Sequence, residues 1–527
     1  MALFISTLGA TVVTTALPSI IGGLRGSQTA ATWVVTATLL TTTATTPVWG
    51  KLADLFNKKI LVQSATLIFV AGSVVAGLSQ DIGTLIAGRA VQGVGAGGLQ
   101  ALVQISIGAM IAPRERGRYA GYQSSATAIA TIGGPLLGGL IVDTSWLGWR
   151  WCFWISLPIA VIALALLQFT LNLPVIRREQ VKIDWAGATL ISAGVSILLI
   201  WVSFVDDAFA WGSAQTAALV GGGVLLLALA IVVETRAVEP IVPLHILGHR
   251  AVILAILGSL AAGTAMFGAS VFLSQYFQIA RGHTPTESGL LTIPMMVGIL
   301  IVSLVGGCLL SRFGKIKPFL LTGTILLAAG FLGLSQIDHA TPLPLVSVAL
   351  VLVGSGVGLT AQNFVLLVQN SVQLKDIGAA TATVSFFRSL GGTIGVSVLG
   401  AVLARQVISQ AAGSLSAAGL PTSASTNAVG ALQNPGTPGA VQAILRATYG
   451  DVIGNIFLIS AVMALLGVAA VLALKPVSLR TSLDLPDPIK SAGSGAEMLD
   501  GAASVEDLIG PGADPQAESE PDLRARR

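Results

Sequence analysis

Charge is the scarcest feature of this 527-residue chain, since Asp, Glu, Lys and Arg together make up only 10% of it. Soluble proteins carry roughly 25% charged residues, and a soluble chain of this length would need them to cover its surface. Hydrophobic residues make up 54% of the sequence, and the mean hydropathy is +0.84. The composition therefore predicts a multi-pass protein of the cell membrane.

Residues that carry catalytic or metal chemistry are also sparse. The two cysteines, Cys152 and Cys308, lie far apart, and the four histidines fall in predicted loops. No Gly-x-x-x-x-Gly-Lys-Ser/Thr segment occurs, which argues against an ATP-driven pump. We therefore expect no enzyme activity, no cofactor and no metal site. The net charge of +4 does not indicate a nucleic-acid partner.

Apolar stretches of about 20 residues, the length that crosses a bilayer as a helix, recur along the chain. Fourteen spans are predicted: 2–22, 30–50, 60–79, 83–111, 118–142, 150–172, 185–205, 214–234, 251–278, 287–310, 317–336, 343–368, 377–404 and 449–474. The predicted fold class is therefore all-α. With the N-terminus inside, the cytoplasmic loops hold fifteen Lys or Arg and the outer side holds five. This asymmetry places both termini in the cytoplasm.

Three glycine-containing segments repeat at nearly one offset. They are 50–58 with 307–315, 93–97 with 354–358, and 133–134 with 391–392. Two similar six-helix bundles in parallel orientation explain such a repeat, and they form a known transporter plan.

The repeat divides the chain into four predicted regions. They are a first bundle (1–172), an inserted two-helix region (173–250), a second bundle (251–475, with an outer loop at 406–448) and a disordered cytoplasmic tail (476–527).

Residues 130–139 combine glycine and proline inside an apolar span, and Gly134, Pro135, Gly138 and Gly139 belong to this stretch. Such a composition would break a helix in water, where Gly costs about 1 kcal/mol and Pro about 3. A lone segment in lipid keeps its helix, and small residues let a neighbouring helix or a substrate approach its backbone. The stretch therefore indicates a packing or sliding surface of a transporter.

Two arginines lie inside predicted spans. Arginine at that depth costs at least about 2.5–3.5 kcal/mol, so it should face the protein interior or a wet cavity. Arg89 shares a helix face with Gln92 and Gly93, and Arg388 lies within the thirteenth span. Each arginine either responds to protonation of a partner or is satisfied structurally by backbone carbonyls.

These segments resemble the major facilitator superfamily, specifically its fourteen-span drug:proton antiporters. Residues 50–59 resemble the family's loop motif between spans two and three, and 85–95 its span-four motif with a buried arginine. Residues 130–139 resemble the span-five antiporter motif, and 387–392 a second-half motif. In one departure, Gly9 stands where the family's drug exporters often place an aspartate, so a carboxylate for cationic drugs is absent there.

The resemblance implies a secondary active transporter that exports hydrophobic, drug-like compounds in exchange for protons by alternating access. The implied cytoplasmic gate comprises Gly50, Asp54, Lys58, Arg118, Gly307 and Arg312. The implied proton and substrate path comprises Arg89, Gln92, Gly93, Arg388, Gln275, Gln362 and Asn363.

The role of Asp54 has three interpretations at this stage. Its carboxylate either caps the N-terminus of a neighbouring helix, pairs with Arg116 or Arg118 to close the inner side, or is solvated in a loop. No acidic residue lies clearly in mid-membrane, so the residue that carries the proton is not identified.

The expected partners are small amphiphilic molecules, protons and the lipid bilayer, and the expected state is a monomer. One alternative function is a proton-coupled symporter or a uniporter of a small metabolite or lipid. Another is a channel or a non-transporting membrane partner, although the two-half repeat argues against a ring-shaped pore.

Overall fold

The computed structural model describes residues 1–24, 28–144, 146–170, 184–205, 209–237, 240–242, 244–420, 425 and 437–480. The regular structure in these residues is helical, apart from two isolated β-bridges. This agrees with the predicted all-α class, because a lone segment in lipid satisfies its backbone hydrogen bonds only as a helix.

The first part of the chain forms helices α1 to α9. They are α1 (Ala2–Gly23), α2 (Gln28–Leu55), α3 (Lys58–Leu78), α4 (Ile82–Met110), α5 (Pro113–Asp143), α6 (Trp151–Trp154), α7 (Ser156–Thr170), α8 (Trp185–Phe204) and α9 (Ala214–Glu234).

The second part forms helices α10 to α17, and a π-helical turn, Tyr276–Ala280, continues α11. They are α10 (Leu244–Leu247), α11 (Arg250–Gln275), α12 (Pro285–Leu291), α13 (Ile293–Phe313), α14 (Ile316–Leu334), α15 (Leu343–Ser371), α16 (Ile377–Ala417) and α17 (Gly439–Leu472). Helices α1–α7 are termed the first half, and α11–α17 the second half.

Every predicted span falls on one of these helices or on a consecutive pair. Among the described residues, eleven helices are long and apolar enough to cross a membrane. Helices α1, α2 and α5 are not among the eleven, and charged residues open α5. The count of fourteen spans therefore stays a prediction.

The predicted outer loop at 406–448 is helical at both ends, because α16 continues to Ala417 and α17 begins at Gly439. Val407, Ala411 and Leu415, spaced by four residues, are buried in an apolar core with α17. This spacing places them on one face of a helix, so packing on α17 stabilises a segment whose composition suggested a loop. The tail beyond residue 480 lies outside the described residues.

The loops at the two ends of the helices differ in composition. One end carries Lys58, Arg114 and Lys315 and is termed the basic end; it is the predicted cytoplasmic side. The opposite end carries Asp81 and His339.

The apolar cores of the described residues differ between these two ends. At the basic end, one continuous core holds Ala53 of the first half together with Leu310 and Val365 of the second. At the opposite end, the residues of the first half and those of the second half form two separate cores. The two halves are therefore joined through buried apolar contacts at the basic end.

The inserted helices lie beside the seam between α2 and α16. Ser192 of α8 donates a hydrogen bond to the Ala44 carbonyl of α2 (3.1 Å). Val195 and Leu199 of α8 form an apolar cluster with Phe386 of α16. Helix α9 packs on α8, so the insertion touches both halves through α8.

Close helix packing within the first half depends on glycine. A Cβ atom placed on Gly95 of α4 would lie 2.4 Å from the backbone nitrogen of Phe69 in α3. Such a distance is shorter than any real contact, so any larger residue would force α3 and α4 apart.

We predict that Gly95→Leu lowers the stability of the purified protein, because overpacking a close interface costs typically about 1–3 kcal/mol. Gly222→Leu on α9 is the control, since a Cβ atom there would meet nothing within 4 Å. Thermal unfolding in detergent measures the difference. Equal melting temperatures for the two variants would contradict the packing described here.

Candidate functional site

The first contact between the halves at the basic end joins α2 to the start of α16. The backbone N–H groups of Gly378 and Ala379 each donate to the Asp54 carboxylate at 2.8 Å. Helix N-termini carry unsatisfied N–H groups and a partial positive charge, so a carboxylate is stabilised there. Of the interpretations considered for Asp54, the structure shows the capped helix N-terminus.

Close approach of the two backbones makes this cap possible. A Cβ atom on Gly50 would lie 2.2 Å from the Ala382 Cβ and 2.8 Å from the Gly378 carbonyl oxygen. A side chain at position 50 or 378 would hold Asp54 away from the N–H groups that donate hydrogen bonds to its carboxylate. Glycine at these positions is therefore a requirement of the contact.

A second contact joins α13 to the start of α5. The backbone N–H of Arg118 donates to the Ser311 hydroxyl (3.2 Å). The Arg114 guanidinium donates to the carbonyls of Ser311 (3.1 Å) and Arg312 (3.0 Å), at the C-terminal end of α13. A Cβ atom on Gly307 would lie 2.2 Å from the Gly117 carbonyl oxygen, so these backbones also approach closely.

The two contacts are related by the internal repeat. Gly307 and Ser311 lie 257 residues after Gly50 and Asp54. Each half supplies the end of one helix, and the other half supplies the N-terminal turns of its partner helix. The charge differs between the two, since the α2–α16 contact has a carboxylate where the α13–α5 contact has a hydroxyl.

The remaining predicted gate residues have other partners in the structure. The Arg118 guanidinium donates to the Tyr122 hydroxyl (3.0 Å), on its own helix. Lys58 begins α3, and Arg312 contributes its backbone carbonyl. Sequence reasoning missed Ser311, Arg114 and the glycines that oppose Gly50 and Gly307. The repeat carried a usable signal, because Gly117 and Gly378 are separated by 261 residues, close to the offset of the motifs.

Arg89 and Gln92 form a buried network within the first half. Arg89 donates to the Gln92 side-chain oxygen (2.5 Å) and the Val34 carbonyl (3.3 Å). Gln92 in turn donates to the Ser73 hydroxyl (2.8 Å). The network thus joins α4 to α2 and α3. A Cβ atom on Gly9 would lie 3.7 Å from Gln92 Nε2, so position 9 of α1 adjoins the same network.

The predicted path residues of the second half lie apart from this network. Arg388 of α16 donates to the Ala361 carbonyl (3.0 Å) of α15, and Asn363 donates to Leu359 one turn earlier (2.7 Å). Gln275 accepts from the Tyr449 hydroxyl (2.8 Å) towards the opposite end. Gln362 is half-buried on α15.

Gly93, the remaining predicted path residue, belongs to the first half. It is buried on the same face as Arg89, where α4 packs on α2.

The glycine stretch of α5 packs on α1 at Gly134. A Cβ atom on this glycine would lie 2.0 Å from the Thr11 hydroxyl oxygen, which donates to the Ala130 carbonyl (3.2 Å). Gly138 is buried, whereas a Cβ atom on Gly139 would meet nothing within 4 Å. The side chain of Pro135 lies outside the described residues.

Two carboxylates between the helices at the opposite end act as local caps. Asp81 accepts from the Thr84 hydroxyl (2.6 Å) and backbone N–H (2.8 Å). Asp338 accepts from the Thr341 hydroxyl (2.7 Å). These hydrogen bonds lower the pKa of both carboxyls below the usual value, so both stay ionised at neutral pH. Such groups are poor proton carriers.

Comparisons with known proteins agree with this architecture. The Major Facilitator Superfamily model matches residues 1–396. An uncharacterized MFS-type transporter of Mycobacterium tuberculosis is 34% identical over 505 residues, covering 96% of this chain and 72% of that protein. The multidrug transporter protein MdtP of Bacillus subtilis is 33% identical over 506 residues, covering 91% and 92% respectively.

A solved structure supports the fold. The human organic anion transporter MFSD10 superposes with a TM-score of 0.56 at 13% identity, covering 88% of this chain and 97% of that one. The helices and the family match define a multi-pass membrane transporter. The chain belongs to the Major Facilitator Superfamily, which confirms the predicted resemblance and class.

We predict that Asp54→Asn opens the basic end more often, because the amide loses the charge that faces the N-terminus of α16. Hydrogen bonds to charged groups contribute about 1.5–3 kcal/mol and neutral ones about 0.5–1.5. Ser311→Ala, at the equivalent position of the second half, should therefore have the smaller effect. Labelling of a cysteine placed at Ala382, buried against Gly50, measures opening. Equal labelling in both variants would contradict the difference in charge.

Proposed function

We propose that the protein exports amphiphilic, drug-like compounds from the cytoplasm in exchange for protons, by alternating access. The name of its relative MdtP, a multidrug transporter, supports export of such compounds. The glycine stretch of α5, which resembles the antiporter motif, supports exchange over uptake.

The observation that carries this proposal is the unequal joining of the two halves. One apolar core crosses between them at the basic end, whereas two separate cores occupy the opposite end. This arrangement is one of the two states that alternating access needs, with the predicted cytoplasmic side closed. The other state follows when the Asp54 and Ser311 contacts separate and the halves rock.

The proposed moving bodies are the two bundles predicted from the repeat, 1–172 and 251–475, with 173–250 inserted between them. Matching contacts at Asp54 and Ser311 support this division. Both termini are proposed to lie in the cytoplasm, where the tail 476–527 also belongs. A single chain supplies both bundles, so the proposed unit of transport is a monomer.

Protonation of Asp54 is the proposed link between protons and opening. A proton on this carboxyl removes the negative charge that faces the N-terminus of α16, which weakens the attraction between the halves. Lys58 follows Asp54 by four residues, whereas Arg118 lies at the α13–α5 contact; both are proposed to tune the gate rather than to carry protons. Arg89 and Arg388 are proposed to shape the electrostatic potential of the cavity between the bundles.

The substrate class follows from the polar groups proposed for the path. Gln92, Gln275, Gln362 and Asn363 offer neutral amides among apolar neighbours, and Gly9 leaves α1 without a carboxylate at that position. Amides orient neutral or weakly charged molecules through hydrogen bonds, and apolar walls bind their bodies. Multivalent cations lack a matching anionic partner there.

Transport by purified protein in lipid vesicles tests this function. A pH-sensitive dye records proton movement while candidate compounds are added under an imposed gradient, which supplies about 1.36 kcal/mol per proton and pH unit. We expect compound-dependent proton flux that decreases at least about tenfold in Arg89→Ala, since removing a buried charged partner costs more than about 1.4 kcal/mol. Compound flux that does not depend on the pH gradient would refute proton exchange. Accumulation of a nutrient inside the vesicles would favour symport.

The α1–α5 surface has its own test. Gly134→Ala places a methyl group against Thr11, whereas Gly139→Ala on the same helix fills open space. We expect the first variant to lose most of its turnover and the second to retain it, with similar amounts of folded protein. Equal turnover in the two variants would show that the glycine surface plays no part in transport.

A further inference from the structure

A polar cluster lies buried at the basic end, between the two halves. Arg116 of α5 and Gln104 of α4 come from the first half, and Gln369 of α15 comes from the second. These side chains are 3%, 4% and 5% exposed, respectively. Buried polar groups must find partners, so their hydrogen bonds show how the halves are held at this depth.

Arg116 divides its hydrogen bonds between the two halves. Its Nε donates to the Ile111 carbonyl (2.6 Å), and its Nη2 donates to the Gly108 carbonyl; both acceptors belong to α4 and its end. Its Nη1 donates across the interface to Gln369 Oε1 (3.2 Å). When the halves separate, Arg116 keeps two acceptors and loses one.

Gln369 uses both ends of its amide at this interface. While Oε1 accepts from Arg116, Nε2 donates to the Gln104 carbonyl (3.2 Å) and to the Thr381 hydroxyl (3.0 Å) of α16. Ser385 of α16 lies alongside and donates to Gln104 Oε1 (3.4 Å). The cluster therefore joins α4 and α5 to α15 and α16 through neutral acceptors.

The acceptors of Arg116 are all neutral, which limits the free energy needed to separate the halves at this cluster. The positive charge of Arg116 is balanced mainly by carbonyl dipoles of its own half, so separating the halves does not strand an ion pair. A carboxylate at position 369 would instead create a buried ion pair across the interface. Removing one partner from such a pair is strongly unfavourable, because an uncompensated charge remains.

We propose that Gln369 is a positioning residue which, through Arg116, forms a second seal of the cytoplasmic side, and that its neutral amide keeps this seal weak enough to open in each cycle. The inference rests on the proposed rocking of the two halves. It adds a residue that no gate motif of the sequence contains.

Two substitutions at one position have opposite expected effects. Gln369→Glu keeps the size of the side chain and gives Arg116 a negatively charged partner across the interface. This variant should hold the basic end closed. Gln369→Leu removes both hydrogen-bonding ends and should let the basic end open more often. A merely structural role would give both variants the same direction of change, namely loss of stability.

Pulsed electron spin resonance between spin labels on Ile60→Cys and Phe313→Cys measures the opening. These positions lie on α3 and α13 at the basic end and are 59% and 62% exposed. Cys152 and Cys308 are replaced by alanine in the background. Relative to the unsubstituted Gln369 background, we expect the long-distance population to fall about tenfold in Gln369→Glu, because an ion pair with Arg116 outweighs the lost hydrogen bond to the Gln104 carbonyl. We expect it to rise at least about tenfold in Gln369→Leu, because two hydrogen bonds across the interface are lost.

Gln373→Glu is the matched control, because Gln373 is exposed and its side chain does not cap the adjacent helix. It should leave the distance distribution unchanged. Equal shifts in Gln369→Glu and Gln373→Glu, shifts of both Gln369 variants in one direction, or no shift in either would overturn the proposal. The measurement uses neither substrate nor pH gradient, so a failure of drug–proton exchange in vesicles would be recognised separately.

Discussion

The arrangement of the two halves depends on backbone-to-backbone contact at the basic end. Gly50 meets Gly378 and Gly307 meets Gly117 at distances that any side chain would prevent. Because the backbones touch, the Asp54 carboxylate reaches two N–H groups at the start of α16. Ala53 and Ile377 of the continuous apolar core flank the Asp54 contact, which is partly buried. Partial burial strengthens the electrostatic attraction between this carboxylate and the N-terminus of α16.

The two pseudo-equivalent contacts are chemically unequal. Asp54 brings a charge to α16, whereas Ser311 brings a neutral hydroxyl to α5. Only the Asp54 carboxylate can take up a proton near neutral pH. The strength of the α13–α5 contact should therefore depend less on pH than that of the α2–α16 contact. The inserted helix α8 adds to this asymmetry, since it lies along the α2–α16 seam and touches both helices.

Much of the fold could be predicted from local composition. Each apolar stretch became a helix, because lipid offers a lone segment no other backbone. The sequence predicts a loop for the segment 406–417, since its Ala, Gly and Ser residues carry little hydropathy, whereas the structure has a helix there. Its helix depends on Leu415 and Ala411 packing against α17, which is a tertiary effect.

The site was predictable only in part. The repeat motif identified Gly50 and Asp54, but their partners are more than 300 residues away, and local patterns contain no information about such pairing. Gln369 belongs to no recognised motif, and its proposed role depends on the buried Arg116 guanidinium that the fold places beside it. Polar side chains at helix ends can therefore be identified from sequence more easily than the contacts they make.

A reversible covalent link across the basic end tests the central claim most directly. In a background without Cys152 and Cys308, cysteines replace Arg118 and Ser311, because the Arg118 backbone nitrogen lies 3.2 Å from the Ser311 hydroxyl oxygen and the Arg118 side chain is exposed. Such proximity suits a disulfide. We predict that oxidation abolishes transport in vesicles and that reduction restores it, because the halves part here in the proposed cycle. Undiminished transport by the fully oxidised protein would contradict the account.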